Sequence, residues 1–101
     1  MFYIVLTEDK PGCQALRDQH RAAHYAYLVA HEHLLLASGG LQTEDGDGFI
    51  GGLIVLKVDS RAEAEQFAAQ DPFTKAGLFA FVRIERWKRA FFDFERAEES
   101  R

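Results

Sequence analysis

Apolar and polar positions alternate with changing period along the chain, and the changes mark its elements. Phe2-Tyr3-Ile4-Val5-Leu6 is aromatic and β-branched and is closed by Lys10-Pro11-Gly12, which predicts a first strand and a turn. From about Gln14 to Glu32 there is no Gly or Pro. Leu16, Ala23, Tyr27 and Leu28 recur there at helical spacing, so the segment predicts an amphipathic helix packed on a sheet. Leu34 to Ala37 leads into Ser38-Gly39-Gly40, and the polar stretch Gln42 to Gly48 separates it from Phe49 to Val58. The second run is Val/Ile-rich and nearly continuous in apolar residues, as a central strand should be, with Gly51 and Gly52 suited to a bulge or a close backbone approach.

Ser60-Arg61-Ala62-Glu63 has the form of a capping box and starts a second helix, which should end before Pro72 because proline pushes the preceding residue out of helical geometry. Phe79 to Phe92 resumes alternation as a last long strand, and the charged residues beyond it, about 93–101, should fray. The order is β-α-β-β-α-β. Its economical solution is an α+β, ferredoxin-like domain over 1–101, a four-stranded antiparallel sheet with two helices on one face. The uncovered face would expose apolar residues around Val55, Val58, Phe81 and Trp87, so a homodimer through that face is expected.

Composition narrows the partners. With 48% hydrophobic residues and nine Phe among 101 residues, the chain can bury a single core. Sixteen acidic against twelve basic residues give a net charge of -4, which disfavours nucleic acid. Cys13 stands alone, so no internal disulfide forms. No apolar run approaches the roughly twenty residues of a membrane span, and Phe2 to Leu6 is too short for a signal peptide. A cytoplasmic protein with no membrane partner is expected.

Candidate chemistry gathers on the first helix. At about 100° per residue, Arg17, His20, Arg21, His24 and His31 fall on one edge beside Leu16, Tyr27 and Leu28. Cationic donors beside an apolar face suit a carboxylate or phenolate, and histidine suits proton transfer near neutral pH; a solvated helix flank would show the same edge. His20 and His24 have metal-ligand spacing, but the further ligands a tetrahedral site needs are not apparent, so neither metal nor cofactor is expected. A Ser38–His24 nucleophile pair lacks an elbow motif. Asp71-Pro72, with Gly77 downstream, suits a capped single turn, and the same carboxylate could instead fix the tautomer of His24.

Arg17-x3-Arg21-x2-His24 with Tyr27-Leu28, then Ser38-Gly39-Gly40, Gly48-Phe49, Asp71-Pro72-Phe73, Ala76-Gly77 and the strand Val82-Arg83-Ile84, resembles the YCII (YciI-like) family over nearly the whole chain. The resemblance implies a ferredoxin-like fold dimerising into an α/β barrel, with His24 and Asp71 as a dyad. The family is similar to muconolactone isomerase, and one member is a dehydrochlorinase of a chlorinated hydroxyquinol. Two departures stand out: Gly39-Gly40 where relatives have Gly-Pro, and Arg86-Trp87 where they have Pro-Phe. The expected function is a small-molecule enzyme, isomerase/lyase or dehydrochlorinase-like, acting on a small aromatic or lactone-like substrate. His24 would transfer the proton and Asp71 orient it, while Arg17 and Arg21 hold an anionic ligand and Ser38 adds a hydrogen bond. The alternative is a non-catalytic dimeric ligand-binding or accessory protein.

Overall fold

The structure, a computed structural model, describes residues 1–97. Its main sheet contains β1 (Phe2–Asp9), β2 (Leu35–Gln42), β3 (Phe49–Lys57) and β4 (Phe79–Trp87), and its main helices are α1 (Gln14–Ala30) and α2 (Arg61–Gln70). The strand order is β2-β3-β1-β4, with every neighbouring pair antiparallel. This is the ferredoxin-like α+β arrangement expected from the order of elements.

Period-2 alternation decides which residues meet the helices. The cross-strand pairs Tyr3↔Leu56 and Val5↔Ile54 supply the core, with Leu28 of α1, Ala64 and Phe67 of α2, and Val58. Intervening positions form the opposite face. There Ile4 pairs with Val55 and Leu6 with Leu53, while β4 brings Phe81 and Trp87 opposite Glu8 and Phe2. Leu53 and Phe81 stay exposed on that face. Val58 does not join them as expected: it lies one residue past the end of β3 and packs into the helix-side core.

The helix ends follow local chemistry. At α2, the Ser60 hydroxyl accepts from the Glu63 amide at 3.2 Å, and the Glu63 carboxylate reaches back to the Asp59 amide at 2.7 Å, one residue earlier than the standard box. Helix α1 ends at Ala30, two residues short of the expected limit, where His31 Nδ1 meets the Tyr27 carbonyl at 2.8 Å and a 3-10 turn, Glu32–Leu34, follows. Gly51 is the close approach its sequence position suggested, because a Cβ there would collide with the Thr7 carbonyl.

The C-terminal expectation needs correction. The last strand of the sheet stops at Trp87 rather than Phe92, and the chain then turns back on itself as a small hairpin of β5 (Phe91–Phe92) and β6 (Glu95–Arg96). Asp93 and Phe94, with φ of 54° and 66°, make its two-residue turn, and the Ala97 amide closes it on the Ala90 carbonyl at 2.8 Å. Two successive positive φ values match the twist of a tight hairpin, and Asp93 suits its first position, but Phe94 stands where glycine would have signalled one. Residues 93–97 form the turn and second arm of this hairpin, and the remainder of the tail lies outside the described residues.

Candidate functional site

A pocket opens between the sheet and α1 because one layer of the core is missing. On the helix-facing side Gly40 pairs with Gly52, so neither strand offers a side chain there. Thr7 beside them is short and turns its hydroxyl to the Gly52 carbonyl, at 3.4 Å. The space left over, about 90 Å³, is walled by Arg17, His24, Phe49, Asp71 and Phe73. Larger clefts elsewhere on the surface are more open and contain neither His24 nor Asp71.

Helix α1 brings His24 to this pocket, and the short turn α3 (Pro72–Lys75) brings Asp71. His24 Nδ1 lies 2.9 Å from Asp71 Oδ1, and the same oxygen accepts the Phe73 amide at 2.9 Å. Asp71 is therefore both the cap of its turn and the neighbour of the histidine, two roles that the sequence posed as alternatives. Only 4% of Asp71 is exposed. A carboxylate so placed accepts a proton-bearing nitrogen, which fixes the Nδ1–H tautomer and leaves the Nε2 lone pair, unbonded among the described residues, for chemistry. The ring is also stacked on Phe73, with centroids 4.1 Å apart and planes 15° from parallel, so its orientation is set on two sides.

Arg17 is buried, at 6% exposure. Its Nε and Nη2 hold the Asp9 carboxylate at 2.8 and 3.1 Å, and Nη2 also donates to the Gly51 carbonyl at 3.1 Å. Its charge is thus matched by Asp9, a partner that the sequence reading missed because it lies at the end of the first strand with no motif around it. Arg21 is half-exposed and pairs with Asp18 at 2.8 Å. The Gln14 amide, and then Arg21, hold the Asp18 carboxyl below the ordinary carboxylate range.

Aromatic rings separate these charges. The Arg17 guanidinium lies 4.7 Å from the centre of Phe73 and 5.3 Å from that of Phe49, and the Arg21 guanidinium lies 5.7 Å from Phe49. His24, Phe73, Arg17, Phe49 and Arg21 therefore succeed one another as rings and cations along the wall. Phe49 and Phe73 both stood in the motifs that carry the family resemblance, as Gly48-Phe49 and Asp71-Pro72-Phe73, but neither was expected as a wall of the site.

Of the five residues on the helix edge, Arg17, Arg21 and His24 line the pocket. His20 does not. His31 sits about two turns beyond His24, against Tyr27 and Phe67. Ser38 lies in β2, exposed at the pocket's margin, and makes no hydrogen bond to His24 among the described residues. Among the described residues no three His, Cys, Asp or Glu side chains gather as a metal would require, and no helix is long and apolar enough to cross a membrane.

The chain is similar to known proteins over most of its length. The 5-chloro-2-hydroxyhydroquinone dehydrochlorinase TftG of Burkholderia phenoliruptrix AC1100, solved in complex with 2,5-dihydroxybenzoquinone, superposes with a TM-score of 0.82 at 33% identity, over 88% of this chain and 95% of that one. An uncharacterized protein of Haemophilus influenzae is 30% identical over 90% of this chain and its own entire length. Protein YciI of Escherichia coli O6:H1 is 29% identical with the same coverage. The YCII-related domain matches residues 1–88, and the chain belongs to the YCII family.

Proposed function

We propose that this protein is a small-molecule enzyme in which His24 transfers a proton to or from a small aromatic or lactone-like substrate, by isomerase/lyase or dehydrochlorinase-like chemistry. The observation that carries the reading is the 2.9 Å approach of His24 Nδ1 to a buried Asp71 at the wall of a ring-lined pocket. Asp71 orients the imidazole and balances the charge it gains on taking up a proton. Arg21 is the group best placed to attract an anionic substrate. Its pairing with half-exposed Asp18 is worth under about 1 kcal/mol, so an entering anion can compete for it. Arg17, its charge matched by Asp9, serves as a wall whose guanidinium backs the Phe73 and Phe49 rings, and Ser38 offers a hydroxyl at the margin. The likeness to a dehydrochlorinase supports the class of chemistry without supplying the substrate.

The same reading includes a homodimer formed through the uncovered sheet face, where Leu53 and Phe81 are exposed, and a cytoplasmic site of action. The test of function is turnover of hydroxylated aromatics and small lactones by the protein and by His24→Gln. Acid–base help of this kind is worth about 10²- to 10⁴-fold, so the variant should lose that much. Saturable binding with no turnover of any candidate would favour the non-catalytic ligand-binding alternative.

A further inference from the structure

One wall of the pocket is held from outside it. The pairing of β2 with β3 shifts register between Leu41 and Gln42, so that Gln42 faces Phe49 while Leu41 faces Gly51. This irregularity re-aims the side chains, leaving Ile50 half exposed and Phe49 on the pocket wall. There the Phe49 amide donates to Gln14 Oε1 at 3.1 Å, and Gln14 Nε2 donates to Asp18 Oδ1 at 3.0 Å. Arg21 completes the circuit, bound to the same Asp18 oxygen and poised over the Phe49 ring. The strand β3 is thereby strapped to the first turns of α1 at the residue that faces the pocket. On the other side Gly40 leaves no spare room: a Cβ would come within 2.6 and 2.7 Å of Cδ1 and Cε1 of Phe49. No other side chain can occupy position 40 unless the ring moves.

We propose that Phe49 is the specificity-determining wall of this pocket, selecting planar conjugated anions, and that Gln14 is the positioning residue that keeps it in place. The proposal rests on the functional reading above and narrows its substrate class. A flat ring laid against Phe49 gains face or edge contact that a puckered ring forfeits, while the guanidinium of Arg21 attracts either one equally.

The experiment compares benzoate with cyclohexanecarboxylate, two carboxylates alike in charge and carbon count but not in planarity, by calorimetric titration of the protein and of Phe49→Leu, Gln14→Ala, Gly40→Ala and the Gly40→Ala/Phe49→Leu pair. The protein should prefer benzoate by about threefold to tenfold. Phe49→Leu should erase the preference, and Gln14→Ala should shrink it while the Phe49 amide exchanges with solvent at least about tenfold faster. Gly40→Ala should lower benzoate affinity when the Phe49 ring is present but not in the double variant, where the ring it would displace is gone, a coupling that a merely structural glycine would not show. Equal affinity for the two acids, or a preference that survives Phe49→Leu, would overturn the proposal and leave the His24–Asp71 reading standing. Binding of neither acid would count against both.

Discussion

His24 Nδ1 and the Phe73 amide converge on one oxygen of Asp71, each at 2.9 Å. A single buried carboxylate thus holds the start of α3 and the orientation of the histidine, and the two duties separate by substitution. Asp71→Ala removes the cap and should cost about 1–2 kcal/mol in chemical denaturation. Asp71→Asn keeps an oxygen for the Phe73 amide and should be the more stable of the two, yet it removes the charge that balances a protonated His24. Both variants should be slow in turnover. Equal activity in Asp71→Asn and the unsubstituted protein would assign Asp71 to capping alone.

The two arginines should behave differently, although both line the pocket. Arg17→Ala strands Asp9, a buried carboxylate, and should destabilise the protein by about 3–5 kcal/mol. Arg21→Ala breaks only a half-exposed pair, should shift stability by no more than about 0.5 kcal/mol and should weaken binding of an anionic ligand instead. Urea denaturation curves of the two variants check this, and a stable Arg17→Ala would contradict the assignment.

Tyr27 gives the fold an alkaline sensitivity. Its hydroxyl donates to the Phe67 carbonyl at 2.8 Å, and burial, reinforced by the charge of Asp71, pushes its pKa above the ordinary 10.0. The unfolded chain therefore releases this proton at lower pH than the folded one. The stabilisation is complete below about pH 10 and declines as pH rises through the folded value. Tyr27→Phe should cost about 1 kcal/mol at neutral pH and flatten the decline above pH 10, as read from melting temperature against pH.

The uncovered sheet face should hold two copies together. Light scattering at micromolar concentration should report a dimer, and Phe81→Glu with Leu53→Glu, both on exposed positions, should give a folded monomer. A monomeric unsubstituted protein would remove the dimer from the account.

Much of this fold could be read from periodicity. The strand runs at Phe2 and Phe49, the capping box at Ser60 and the Asp71-Pro72 turn are local signals, and local contacts satisfy them. The C-terminal hairpin was not legible because Phe94 adopts a positive φ where glycine usually marks the second position of such a turn. Within the site, His24 and Asp71 were legible by type and motif. The pairing of Arg17 with Asp9 was not, since it joins a strand end to a helix face that only the folded sheet brings together. The direction of Phe49, though not the residue, was hidden for a related reason: its aim depends on a register shift, and sequence alternation alone does not report register.

A crystal structure of the protein soaked with 2,5-dihydroxybenzoquinone would show whether the pocket beside His24 and Asp71 receives a substrate-like ring. Ring density is expected against Phe49, with one ligand oxygen within about 3.2 Å of His24 Nε2 and the His24–Asp71 contact intact. Density at another surface, with the glycine-lined pocket collapsed or filled by its own side chains, would contradict that expectation.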